Sequence, residues 1–128
     1  MKKEIITRVA KIWESDDGSG RATFLPEAVV TLDDAKEYFT ACLKVSGGKK
    51  ECILVDISKV KFVEREAREY FARSKEAIKI TKAVAILIKT PISRVIGSFY
   101  IYLNASALRF PVKLFSSKNK ALEWLSKF

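Results

Sequence analysis

Residues 51–78, ECILVDISKVKFVEREAREYFARSKEAI, decide how the chain is built. Cys52-Ile53-Leu54-Val55 is a short apolar run closed by Asp56. Bounded by polar residues, it reads as a buried strand. A brief polar connection follows. From about Glu64 to Ile78, the positions Ala67, Tyr70, Phe71, Ser74 and Ile78 then recur on one helical stripe. On the other side, Glu64 with Arg68 and Glu69 with Arg73 form acid-first pairs one turn apart, a solvated face. A buried strand handing over to an amphipathic helix is the basic unit of an α/β sheet.

The flanking sequence extends that unit in both directions. Glu4 to Trp13 alternates loosely and is rich in Ile, Thr and Val, which predicts a strand. Ser15 to Gly20 has turn composition, Arg21 to Leu25 returns as a second strand, and Pro26 stops it. Thr31 and Asp34 have the spacing of a capping box, ahead of a helix carrying Leu32, Ala35, Phe39, Cys42 and Leu43 on one face. Gly47-Gly48 ends it.

Downstream, Lys82 and Lys89 bracket the continuous apolar run 83–88, the mark of a strand covered on both faces. Pro91 opens the next helix, with Ile92, Val95, Ile96, Phe99 and Leu103 as its predicted core stripe. Tyr100, Ile101 and Tyr102 widen the apolar arc beyond what one sheet face covers, and Gly97 allows a close approach. Val112 to Phe115 is a short last strand, and Ser117 caps a terminal helix. The order is β-β-α-β-α-β-α-β-α. It predicts one α/β domain over residues 1–128, with a mixed, mainly parallel sheet of about five strands and four helices.

Composition excludes several chemistries. The chain has no histidine, which removes Ser-His-Asp and Cys-His catalysis. Its two cysteines, Cys42 and Cys52, lie singly in apolar patterns and predict buried, reduced thiols rather than a metal site. Gly47-Gly48-Lys49-Lys50 lacks the first glycine and spacing of a P-loop. No catalytic residue, cofactor or metal is therefore expected. The N-terminal apolar pattern breaks at Thr7-Arg8, and no apolar run is long enough to span a bilayer. The sequence thus predicts a cytoplasmic protein without a membrane span.

Net charge is +9, split as +1 over residues 1–78 and +8 over residues 79–128. The basic residues of the second part sit singly, and no helix-turn-helix, RRM or KH pattern accompanies them, so nucleic acid is not the expected partner.

The stretch LVDISKVKFVEREAREYF resembles the core of STAS domains, the fold of anti-sigma-factor antagonists, in which a strand ending in Asp leads to a helix. The ending FPVKLFSSKNKALEWL is similar to that of small bacterial SpoIIAA-like proteins of unknown role, related in fold to CRAL-TRIO lipid carriers. With AVAILIKTPISRVIGSFY between them, the resemblance covers nearly the whole chain and implies a STAS-like single domain. In antagonists of that family, a serine at the helix start is phosphorylated to release a partner. Here Glu64-Arg65-Glu66-Ala67 meets that motif, and Glu66 occupies the phosphoacceptor position. Two readings of Glu66 stand: a permanent charge that imitates phosphorylation, or a carboxylate favoured by the helix dipole.

The resemblance implies a non-catalytic regulatory or protein-interaction module. Its expected contact surface is Ser58, Lys59, Lys61, Glu64, Arg65, Glu66 and Arg68. The alternative is binding of a small apolar or lipid ligand along Ile96, Gly97, Tyr100, Ile101 and Tyr102. A homodimer seam is the competing explanation of that face.

Overall fold

The computed structural model describes residues 3–104 and 109–128, apart from the side chains of Phe99, Tyr102, Leu103 and Asn104. In chain order it contains β1 (Glu4–Ile6), β2 (Ala10–Glu14), β3 (Gly20–Phe24), β4 (Val29–Val30), α1 (Leu32–Ser46), β5 (Glu51–Asp56) and β6 (Phe62–Val63). There follow α2 (Arg65–Arg73), α3 (Lys75–Ile80), β7 (Thr81–Leu87), α4 (Pro91–Asn104), β8 (Val112–Phe115) and α5 (Lys118–Leu125). Six strands form the main sheet in the order β1-β2-β3-β5-β7-β8, while β4 and β6 pair separately. The pairings from β3 through β8 are parallel, and the β1-β2-β3 margin is antiparallel.

β5 lies in the sheet interior, as its apolar run requires. Its side chains alternate: Ile53 and Val55 join the larger core, and Cys52 and Leu54 join a smaller one. β7 divides in the same way, with Val84 and Ile86 on the first face and Ala83, Ala85 and Leu87 on the second. The first face carries α1 through α4. Among the described residues, the second is covered by α5, through Ala121 and Leu125.

Local signals explain the first long helix. The Thr31 hydroxyl accepts from the Asp34 N–H, and the Asp34 carboxylate accepts from the Thr31 N–H. Arg8 closes the arrangement from outside, pairing with Asp34 through both Nε and Nη2. Gly47 ends the helix with φ 67°, a left-handed conformation that glycine adopts without penalty.

Four expectations need correction. The first strand is two: the Thr7 hydroxyl accepts from the Val9 and Ala10 N–H groups and turns the chain between β1 and β2. The helix from Glu64 to Ile78 is also two, because Ser74 takes an extended backbone (ψ 150°) and caps α3 by accepting from Ala77 N–H. The predicted Glu64–Arg68 and Glu69–Arg73 pairs do not form among the described residues. Arg65 takes Glu69 instead, at 3.2 Å.

Finally, α4 is rotated from its predicted stripe. Ser93, fully buried, stands against the interior and accepts from the N–H groups of Lys89 and Thr90. Ser93, Ile96, Gly97 and Tyr100 thus occupy the inward positions at helical spacing, and Ile92 and Val95 are left exposed. The predicted core residues Phe99 and Leu103 lie outside the described side chains.

Candidate functional site

The site lies where the loops after β5 and β7 meet the start of α2. Parallel strands deliver these loops to one end of the sheet, the usual place for binding in α/β proteins. The loop after β5 is tied down on both sides. Ile57 N–H donates to the Leu87 carbonyl at 3.1 Å, and the Thr90 hydroxyl donates to the Ser58 carbonyl at 3.1 Å. On the other side, Glu27 N–H donates to Lys59, Phe62 N–H to Ala28, and Glu64 N–H to Val30. The short β4–β6 pair continues this seam. The loop is a fixed platform rather than a loose connection.

Of the residues expected to form a contact surface, Ser58 does not belong. It is 7% exposed, and its N–H and hydroxyl both donate to Asp56 Oδ1, at 2.8 and 2.5 Å. Its role is to close the turn after β5. Lys59, Lys61, Glu64, Arg65 and Glu66 are exposed. Glu66 lies in the first turn of α2, whose N-cap residue Glu64 makes no side-chain capping bond.

Arg68 is half-buried and turns back toward the loop. Its Nη1 donates to the Val63 carbonyl at 2.7 Å, and its guanidinium lies 6.0 Å from the Phe62 ring centre. Across from it, α4 presents Pro91, Ile92, Val95 and Ile96, forming a groove of about 550 Å3 with Lys61, Phe62 and Arg68. The groove floor is apolar and open: Phe62, Ile92 and Val95 are 49, 56 and 52% exposed.

Adjoining the groove is a partly open cavity of about 90 Å3, between the sheet and the helices. Val55, Ile57, Val84 and Ile86 line it from the sheet side, Phe39, Phe71 and Tyr100 from the helices. Arg68 and Ile96 border both the groove and the cavity, so these two side chains stand between them. Among the described residues, no carboxylate lines either space.

Of the residues expected on an apolar ligand or dimer face, Ile96, Gly97 and Tyr100 line this cavity. A Cβ on Gly97 would come within 2.9 Å of Leu114 Cδ2, so glycine here lets α4 settle closely on the sheet. Burial raises the Tyr100 hydroxyl above its ordinary range. Ile101 is half-buried, and the Tyr102 side chain lies outside the described residues. Sequence reasoning missed Phe62, Ile92 and Val95 as groove residues. The first is placed by a two-residue strand, and the other two are turned outward by Ser93.

The thiols differ. Burial pushes Cys42 up to about 12, whereas Cys52, also raised by burial, is only half-buried, contrary to the expectation of two buried thiols. Iodoacetamide at pH 8 is expected to alkylate Cys52 at least tenfold faster than Cys42, read by peptide mass spectrometry; equal rates would contradict the packing of α1.

Among the described residues, no helix is long and apolar enough to cross a membrane. No curated protein matches the chain. A solved structure is similar over 98% of this chain and 95% of its own, with TM-score 0.59 and 18% identity. It is an uncharacterized protein from the DUF3478 family with a SpoIIAA-like fold, from Shewanella loihica PV-4. The family model "Domain of unknown function (DUF7793)" matches residues 14–128. The chain therefore belongs to the DUF7793 family and carries the SpoIIAA-like α/β fold that its strand–Asp–helix core implied.

Proposed function

We propose that the protein is a non-catalytic, STAS-type docking module that binds its partner in the groove between β6 and α4. The observation that carries this reading is the row Phe62, Ile92 and Val95, exposed side by side on a backbone held in place at both ends. Apolar side chains displayed on a rigid platform are what a partner buries as central anchors. The charged residues lining the groove, Lys61 and Arg68, are both cationic. The matching partner is a protein segment with apolar anchors and flanking carboxylates. Glu66, exposed in the first turn of α2, stands where the resemblance puts a phosphoacceptor hydroxyl, so on this reading docking is set by a fixed charge rather than by phosphorylation.

A quantitative pull-down from the source cell tests this. A protein retained by the wild type is expected to fall at least tenfold with the double variant Glu66→Arg/Arg68→Glu, and also with Val95→Asp. Identical partner lists for all three would remove this surface from consideration. A doubled mass in native mass spectrometry that Val95→Asp abolishes would make the occupant a second copy of the chain instead.

The inner cavity favours a second reading, the binding of a small apolar ligand. Its walls are almost wholly apolar, and it adjoins the groove at Arg68 and Ile96.

A further inference from the structure

Arg68 is chemically out of place where it stands. Its helix offers Glu64 one turn before it, yet no carboxylate pairs with it among the described residues. One of its five N–H donors goes to a backbone carbonyl, and its plane lies near one ring. It borders an apolar cavity on one side and an apolar groove on the other. A half-buried guanidinium with donors to spare suits a bound anion with two acceptor oxygens, because its planar fork matches a carboxylate at two points.

The cavity limits the rest of such a ligand. An apolar cavity of roughly 150 Å3 holds one benzene molecule. At about 90 Å3, this one suits a straight chain of a few carbons entered end-on, and not a ring or a sterol. Lys61 adds a second positive charge on the groove side, and among the described residues no acidic one lines the path. A cationic head group would leave these donors without an acceptor, and a neutral hydroxyl would offer one uncharged oxygen in place of a carboxylate's two. A longer chain exceeds the volume of about 90 Å3 that the cavity offers.

Resting on the apolar-ligand reading and making it specific, we infer that groove and cavity form one site for a short-chain aliphatic carboxylate. Its hydrocarbon tail occupies the cavity and its head group is held at the mouth by Arg68. Ile96 is the apolar half of that mouth.

The test uses the full chain and three probes of equal length: hexanoate, hexan-1-ol and hexylammonium. Binding is followed by calorimetry and by amide shifts in 1H–15N spectra. The expected result is that hexanoate binds at least tenfold tighter than hexanol, hexylammonium binds weakest, and shifts centre on Val84, Ile86 and Gly97. Dodecanoate is expected to gain nothing over hexanoate. Arg68→Met, which keeps the apolar stem, is expected to reduce the hexanoate-to-hexanol preference to about one. Should that variant unfold, Val84→Ile serves instead, because its added methyl occupies the cavity and is expected to abolish hexanoate binding. A hexanol that binds as well as hexanoate to the wild type would overturn the carboxylate assignment and leave the apolar-ligand reading standing. No shift with any probe would end both, without touching the docking groove.

Discussion

Replacing Phe71 with alanine is expected to destabilise the protein by about 3 kcal/mol, one of the two largest losses anticipated for a single side chain on the helical face. Phe71 is the joint at which α1, α2 and β3 meet. Its ring centre lies 5.3 Å from that of Tyr38, 5.5 Å from Phe39 and 6.1 Å from Phe24. Removing it deletes a large apolar surface and several edge-on aromatic contacts together. The loss lies at the low end for Phe→Ala because the side chain is only half-buried. Urea unfolding should show a lower midpoint with an unchanged slope, and Tm should fall by roughly 10 °C. Phe71→Leu is expected to cost about 1 kcal/mol, since most of the volume remains.

Phe71 also lines the cavity, so Phe71→Ala enlarges an existing space rather than making a new one. Saturating benzene is therefore expected to restore part of the lost stability, as a dry apolar cavity of suitable size takes up such a molecule. A loss below about 1 kcal/mol would mean that α2 is held to α1 by something other than this aromatic cluster.

The second large effect is expected at Asp34. Its side chain is 7% exposed and accepts from the Thr31 N–H, the Thr31 hydroxyl and the Arg8 guanidinium. Asp34→Ala removes one half of the capping box and leaves the others without their acceptor. The expected cost is about 2–3 kcal/mol. Thr31→Ala, which loses the cap and the hydroxyl's bond to Asp34 but keeps the Arg8 and Thr31 N–H donors, should cost about 1 kcal/mol.

The pH dependence follows the same groups. Burial pushes the Asp34 carboxyl upward, but the donors from Arg8 and Thr31 outweigh it and hold the group below its usual range. A carboxylate depressed in the folded state adds stability above its unfolded pKa of about 3.9. That stability is lost as pH falls through the folded value. The wild type should therefore lose more stability than Asp34→Asn when both are taken from pH 6 to pH 3. Parallel acid profiles would show that the Arg8–Asp34 contact contributes nothing in solution.

Much of this architecture was legible because it rests on local chemistry. The apolar run 52–55 had to be a strand, and it lies in the sheet interior. Thr31 and Asp34, Gly47, Pro91 and Ser117 marked helix ends because each supplies or removes a particular backbone hydrogen bond. Breaks made by a single hydroxyl were not legible. Thr7 is an ordinary strand residue until its side chain turns back on the chain, and Ser74 fits a helical stripe as well as it fits a cap.

The candidate site was legible in outline only. The charged opening of α2 could be read from its composition, and Glu66 is exposed there. Phe62, Ile92 and Val95 could not be assigned to one groove. Their meeting depends on the two-residue β4–β6 pair and on the rotation of α4 around Ser93. Both are long-range consequences of packing, and no periodicity records them. Ser58 was misplaced for a related reason, since its burial follows from Thr90 and Leu87 closing over the turn.

The claim that the β6–α4 groove is where this module meets its partner can be tested by site-specific photo-crosslinking in the source cell. A benzophenone side chain is placed in turn at position 62, in the groove, and at position 118, at the start of α5 on the opposite face. A discrete heavier adduct is expected from position 62 that disappears when Val95→Asp is added, and none from position 118. An adduct from position 118 alone, or one from position 62 that Val95→Asp leaves intact, would contradict it.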